Sequence, residues 1–166
     1  MVTPKPPSTR RPRIFLAFCE KNSQVRRLAK LRIHDQLALY RYQISTYIAR
    51  ENIQPDRIIG HVLAEEMEKS DAVVIIWTQY AHDSPWVNGE LAYARKIGKR
   101  VVLLRFGNVP LPDGWEPDRW YVPLEGVGFP TGLAGLFGPV IFWPRFNRVL
   151  AKIAEVASEE AQKRAP

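Results

Sequence analysis

The sequence has 166 residues, of which 46% are hydrophobic and 25% are charged, and it carries a formal net charge of +7. This length allows one domain with a sizeable core, and the composition excludes a wholly disordered or fibrous chain. The single cysteine, Cys19, excludes an internal disulfide, and no apolar run reaches the roughly 20 residues that cross a bilayer. We therefore expect a cytoplasmic protein with no membrane partner.

The positive charge favours anionic partners. Basic residues are scattered along the sequence, and no zinc-finger, RNP or helix-turn-helix signature accompanies them. We therefore predict no specific nucleic-acid partner. The charge is better matched to anionic small molecules such as dinucleotides.

Four prolines exclude regular structure from residues 1–12, which we predict to be a disordered basic tail. Order begins at Arg13, and residues 14–18 (Ile-Phe-Leu-Ala-Phe) form a continuous apolar run typical of a strand covered on both faces. The loop Cys19-Glu20-Lys21-Asn22 leaves its carboxyl end. In an open parallel sheet that end lines the ligand crevice.

Ser23 is suited to cap a helix that continues to about Leu37. The next stretch, Leu39–Ser45, fits two patterns, because it alternates like a half-buried strand and also continues a helical stripe. We favour the strand, which leaves Thr46–Pro55 as a long loop. Asp56 then caps a helix that ends near Ser70.

Two further buried strands are predicted at Ala72–Trp77 and Arg100–Arg105, with a helix between them. Strands that alternate with helices indicate a parallel sheet with right-handed crossovers. We predict an α/β fold of the flavodoxin-like type, a three-layer sandwich with helices on both faces. Trp120–Leu124 is a candidate edge strand, because Pro123 argues against a central place. An amphipathic helix from about Phe146 closes a single domain over 13–160, followed by a C-terminal tail over 161–166.

The helix between the second and third clear strands carries the main candidate for function. Ser84 is a suitable N-cap and Pro85 suits the first helical position, which fixes the phase of the helix. Trp86 and Glu90 then lie one turn apart on one face, at the border of the buried stripe. Gly89 lowers helix propensity and is consistent with a close approach by a ligand. On spacing alone, Glu90 is either a functional carboxylate or a solvated glutamate beside a packing tryptophan.

Other chemistry is less well supported by the sequence. The three histidines, His34, His61 and His82, are dispersed without metal-ligand spacing, so we predict no metal site. Cys19 has no identifiable histidine partner, which favours a small buried wall residue over a nucleophile. No phosphate-cradling glycine loop is present, and this argues against a Rossmann or P-loop nucleotide site.

The order of these motifs resembles the Toll/interleukin-1 receptor (TIR) domain, and bacterial stand-alone TIR proteins in particular. The resemblance covers roughly Arg13 to Phe106 and is sharpest between Ser70 and Ala94. It rests on Gly60, Ser70-Asp71, Thr78-x-Tyr80, Ser84-x-Trp86, Glu90-Leu91 and Ala94.

The resemblance implies an enzyme that cleaves NAD+ to nicotinamide and linear or cyclic ADP-ribose. It implies that Glu90 is the catalytic residue, that Ser84 and Trp86 bind substrate, and that Phe18, Cys19 and Glu20 form the opposite wall. NAD+ is then a substrate and no cofactor is needed. The resemblance also implies self-association through TIR–TIR contacts, a sensor or effector partner, and a role in anti-phage or immune signalling.

Two departures from the family pattern are visible. The family usually has a serine and then an acidic residue after its first strand, where this chain has Cys19-Glu20-Lys21-Asn22, and no acid ends the predicted second strand at Ile44-Ser45-Thr46. Two alternatives therefore remain. One is a non-enzymatic TIR adaptor, and the other is an enzyme like the nucleoside 2-deoxyribosyltransferases, which the S-D-x-V-V strand and the E-L-x-Y-A helix also resemble.

Overall fold

The chain folds around a parallel sheet of five strands. The structure, a computed structural model, describes residues 10–21, 23–38, 42–49, 57–115, 121–124 and 134–165; for Leu31, 57–59, 121–124 and 134–145 only the backbone is described. The strands are β1 (Arg13–Ala17), β2 (Ser45–Ile48), β3 (Ala72–Trp77), β4 (Arg100–Phe106) and β5 (Tyr121–Leu124). They are arranged in the order β2-β1-β3-β4-β5, and every neighbouring pair is parallel. This confirms the predicted flavodoxin-like α/β fold, with Tyr121–Leu124 as the edge strand.

Helices connect the strands. They are α1 (Ser23–Arg27), a π-helical segment (Leu28–His34), α2 (Asp35–Ala38), α3 (Arg57–Lys69), α4 (Gln79–His82), α5 (Pro85–Lys96) and α6 (Ala134–Arg164). The helical stretch predicted from Ser23 to Leu37 is confirmed, although its middle is π-helical. The helix that precedes β3 also ends where it was predicted to end.

Alternate residues of the central strands face opposite sides of the sheet, as the period of a strand requires. On β3, Val74 and Ile76 pack with α1, α2 and α6, whereas Val73, Ile75 and Trp77 pack with α3 and α5. Because both faces are covered, the strand sequences are continuous apolar runs rather than alternating ones. The predicted three-layer arrangement is therefore confirmed.

The second strand lies later in the sequence than we predicted. Strand β2 begins at Ser45, and Gln43 before it has a left-handed backbone with a φ of 53°. The amide of Ile44 donates to the carbonyl oxygen of Leu37 at 2.9 Å, so residues 42–44 are an irregular connection held against the end of α2 rather than a strand. The predicted strand over Leu39–Ser45 is wrong for residues 42–44 and right only for Ser45, and residues 39–41 lie outside the described ranges.

The last helix is longer than predicted at both ends. It begins at Ala134 rather than near Phe146, and it continues to Arg164, beyond the predicted domain limit at residue 160. The inward positions predicted for it are buried, namely Val149, Leu150, Ile153, Ala154 and Ala157. Ala161, which we assigned to a tail, is 2% exposed and belongs to the same packed face.

Both ends of the described chain contact the dipeptide that precedes β3. The carboxylate of Asp71 accepts the backbone N–H of Arg13 at 2.8 Å and pairs with the guanidinium of Arg10. The guanidinium of Arg164 donates to the carbonyl oxygen of Ser70 at 2.8 Å. Contacts with the sheet thus begin at Arg10, inside the predicted tail, whereas residues 1–9 lie outside the described ranges. Among the described residues, no helix is both long and apolar enough to cross a membrane.

Candidate active site

The start of α5 is fixed by local capping. Ser84 has an extended backbone, and its hydroxyl oxygen accepts the N–H of Val87 at 3.4 Å, while Pro85 occupies the first turn. The side-chain amide of Asn88 donates to the carbonyl oxygens of His82 and Ser84, both at 2.8 Å. These contacts join α4 to α5 and confirm the predicted N-cap. They set the rotation of α5 about its axis.

That rotation places Glu90 at the edge of the buried face. Val87, Leu91 and Ala94 pack on the sheet and are at most 3% exposed. Glu90 is 7% exposed, and its Oε1 accepts the indole N–H of Trp86 at 3.2 Å. The interpretation of Glu90 as a solvated surface residue is therefore wrong. A carboxylate that is removed from water at this depth needs polar contacts, and Trp86 supplies one of them.

The carboxylate lines a groove between α3 and α5 with a volume of about 310 Å³. One wall comes from α3 and the other from the first turns of α5. The lining residues are Gly60, Leu63, Ala64, Met67, Pro85, Trp86, Gly89, Glu90 and Tyr93. Among these, Glu90 carries the carboxyl group, and the remainder of the lining is mainly apolar.

The side chain of Tyr93 on α5 joins the two walls of the groove. Its hydroxyl donates to a carboxylate oxygen of Glu68 on α3 at 2.6 Å. This hydrogen bond raises the pKa of Tyr93 above its usual value, with burial as a smaller cause. Tyr93 therefore stays protonated at neutral pH and ties α5 to α3.

The predicted site residues are not all brought together. Trp86 and Glu90 line the groove, whereas Phe18, Cys19, Glu20 and Ser84 are not among its described lining residues.

Each of these four residues has a different place in the fold. Phe18 is buried on the sheet face that carries α1 and α6, and Cys19 is buried on the face that carries α3 and α5. Glu20 lies in the turn after β1 and is partly exposed. Ser84 is occupied as the helix cap.

Sequence reasoning missed the wall from α3. Leu63 and Met67 are buried on the inner face of that helix, and they also line the groove. The available signal was Gly60, a glycine in the interior of a helix, where it lowers helix propensity and needs a reason.

The groove has the chemistry to stabilise a positive charge next to an apolar surface. A single carboxylate among apolar and aromatic side chains suits a cationic, flat ligand. Among the described lining residues, Glu90 supplies the one carboxylate. His82 and Asp83, in the connection to α5, bind each other at 2.9 Å. Within the described parts of the chain, no group of three or more His, Cys, Asp or Glu side chains is placed to hold a metal ion.

The placement of β2 also bears on the departure from the family pattern at the end of the second strand, where no acidic residue was expected. Because this strand ends at Ile48, the residues that follow it are Ala49-Arg50-Glu51 rather than those after Ile44. An acidic residue is therefore present three positions after the strand. The departure after β1 remains, since Cys19-Glu20-Lys21-Asn22 is unchanged.

Comparison with known families agrees with the fold. The TIR domain family model matches residues 14–135, which span β1 to β5 and include the whole of α5. No curated protein matches the chain. The match covers most of the sequence, and we conclude that the chain belongs to the TIR domain family.

Proposed function

We propose that the chain is an NAD+ glycohydrolase or ADP-ribosyl cyclase of the TIR type. The observation that carries this proposal is the Glu90 carboxylate, which is buried in the groove and accepts the indole N–H of Trp86 at 3.2 Å. In enzymatic TIR domains, the glutamate at this position of the S-x-W-x-x-x-E-L pattern is the catalytic residue. The bacterial stand-alone form of the family is the one that the motif resembles.

The reaction fits a site with one carboxylate. The bond between C1′ of the ribose and the pyridinium nitrogen breaks, and both bonding electrons leave with the nitrogen, which gives neutral nicotinamide. No general acid is required, because the leaving group is already cationic. Positive charge develops on the ribose, and Glu90 stabilises it. Water then adds to C1′ and loses a proton to give ADP-ribose, or a ring nitrogen of the adenine adds to give a cyclic product.

The proposal includes a second copy of the chain. TIR domains commonly self-associate through homotypic contacts. Phe18, Cys19 and Glu20, which the family pattern assigns to the opposite wall, are not among the described lining residues of the groove. We infer that self-association completes the site. We further infer that this assembly forms in the cytoplasm in response to a sensor or effector partner. Loss of NAD+, or the cyclic product, then serves immune or anti-phage signalling.

The test compares wild type with Glu90→Gln and with Glu65→Gln as a matched control. Glu65 is an exposed glutamate on α3 that does not line the groove. Each protein is incubated with NAD+ over a range of concentrations that includes self-associated samples, and the products are separated by chromatography. We expect nicotinamide release to fall roughly 10²-fold or more in Glu90→Gln and to be unchanged in Glu65→Gln. Full turnover by an assembled Glu90→Gln sample would show that the assignment is wrong.

A second candidate function is a TIR adaptor that acts only by contact. It is favoured by two large apolar side chains at the surface, Tyr80 on α4 and Val62 on α3, which are 53% and 43% exposed. An adaptor would self-associate equally well with Glu90→Gln and would release no nicotinamide in any assembly state. Offering deoxynucleosides beside NAD+ in the same assay tests the deoxyribosyltransferase alternative, which the TIR match disfavours.

A further inference from the structure

Each wall of the groove contains a glycine. Gly60 lies in α3 and Gly89 lies in α5, both line the groove, and both are exposed. Both positions are inside helices, where glycine is among the least favourable residues and alanine is the most favourable. Glycine at both places therefore needs a cause.

The fold does not supply that cause. A Cβ atom added at Gly60 or at Gly89 meets no atom within 4 Å, so neither position is closed by packing. Three other glycines are required by their backbone, because Gly98, Gly107 and Gly114 have φ values of 68°, 74° and 66°. Gly60 and Gly89 are not among the described residues with positive φ. Alanine would fit at both positions in the protein without a ligand.

The rest of the groove indicates what occupies the free space. Its volume of about 310 Å³ is at the lower limit of small-molecule sites, which hold about 300 to 1,000 Å³, so a ring with its sugar fits better than a whole dinucleotide. The apolar side chains of Leu63 and Met67 suit a flat ring. The indole of Trp86 and the carboxylate of Glu90 suit a ring that carries a positive charge.

We propose that Gly60 and Gly89 are specificity-determining residues that admit the nicotinamide ring of NAD+ between α3 and α5. This inference rests on the proposed function, because it assigns one end of that substrate to the groove. Without side chains at these two positions, the ring contacts the backbones of both helices, and the ribose C1′ is left beside Glu90. The ADP half of NAD+ then extends out of the groove.

The test uses Gly60→Ala and Gly89→Ala, with Ala92→Leu as a control that adds volume to an exposed position of α5 outside the groove lining. Urea unfolding and NAD+ turnover are measured on each full-length protein. We expect both alanine variants to unfold at higher urea concentration than wild type, because alanine favours the helix. We expect KM for NAD+ to rise about tenfold or more in both, since one added methyl group in a fitted pocket has an effect of about that size. Ala92→Leu should leave KM unchanged.

A binding measurement separates this inference from the proposed function. Free nicotinamide is titrated into each protein, and binding is followed by ligand-observed NMR. If wild type turns over NAD+ and the alanine variants keep its KM, the inference is overturned and the proposed function stands. If wild type is inactive in every assembly state, the proposed function fails, and loss of nicotinamide binding in the alanine variants still supports the inference. If wild type is inactive and nicotinamide binding is either absent or the same in wild type and the alanine variants, the inference is overturned. An alanine variant that is less stable than wild type also overturns it.

Discussion

Lys99 offers a sensitive test of the electrostatics at the junction of α3, β3 and α6. Its side chain lies where α5 joins β4, and the residue is 8% exposed. Its Nζ donates to the carbonyl oxygens of Glu68 and Ser70, both at 2.5 Å. Arg164 donates to the same two carbonyl oxygens at 3.2 and 2.8 Å. Two cations therefore share the carboxyl end of α3.

This arrangement lowers the pKa of Lys99 from 10.5 to about 8, chiefly through burial and then through the charge of Arg164. Between those two pH values the unfolded chain binds more protons at this residue than the folded chain does. The free energy of unfolding must therefore rise with pH over this window. A lowering of about 2.5 corresponds to ~3.5 kcal/mol, because one pKa unit is worth about 1.4 kcal/mol, and the residual solvent exposure of Lys99 reduces this to ~3 kcal/mol.

The perturbation is Lys99→Met, which keeps the aliphatic chain and removes the titrating group. Urea unfolding of wild type and variant is followed by circular dichroism from about pH 7 to about pH 10.5. We expect wild type to gain up to ~3 kcal/mol relative to the variant across this range. The raised pKa of Tyr93 acts in the opposite direction, since its contribution is lost as pH rises, but it is present in both proteins and cancels in the difference.

Lys96→Met is the control, because it removes one positive charge from an exposed position on the same helix. The free energy of unfolding of this control should change with pH in parallel with that of wild type. If Lys99→Met also runs parallel to wild type, the reasoning about Lys99 is refuted. The reasoning is also refuted if the free energy of unfolding of wild type, relative to that of Lys99→Met, decreases as the pH rises.

Two further predictions concern single contacts. Trp86→Phe keeps an aromatic ring but removes the N–H that binds Glu90. The kcat for nicotinamide release should therefore fall about tenfold or more, with little change in KM. An unchanged kcat would contradict this prediction. Asp71→Ala leaves the amide of Arg13 without its acceptor and should lower the free energy of unfolding by about 1–3 kcal/mol in urea titrations. Arg10→Ala should cost less than about 1 kcal/mol, because the Arg10 side chain is 50% exposed, and an equal loss in both variants would contradict the assignment.

Much of the fold was predictable because β1, β3 and β4 are buried on both faces. Such strands are continuous apolar runs, and a run of this kind between turn signals has few other interpretations. Strand β2 was misplaced because its partly buried residues, Ser45–Ile48, carry a weaker signal than the alternation of aromatic and polar residues before them. What ends that earlier segment is the left-handed backbone at Gln43 and a hydrogen bond from the amide of Ile44 back to the carbonyl oxygen of Leu37. Neither is encoded in local hydrophobicity.

The candidate site also has one part that the sequence predicts and one part that it does not. A local cap at Ser84 and Pro85 fixes the phase of α5, and the phase places Trp86 and Glu90 on one face, so the sequence was enough to predict this part. The opposite wall comes from α3, more than twenty residues earlier, and depends on how the two helices pack on the sheet. The family resemblance implied that Phe18 lies in the opposite wall. Successive residues there face opposite sides of the sheet, which turns Phe18 away from α5.

The contacts at Ser70 and Asp71 have a practical consequence. Arg10, from the first described residues, and Arg164, from the last helix, both bind this one dipeptide at the amino edge of the central strands. The two ends of the described chain are therefore close together. A short linker between Arg10 and Arg164 would allow circular permutation of the described chain, with the join at the amino edge of the sheet rather than at the edge where the strands finish.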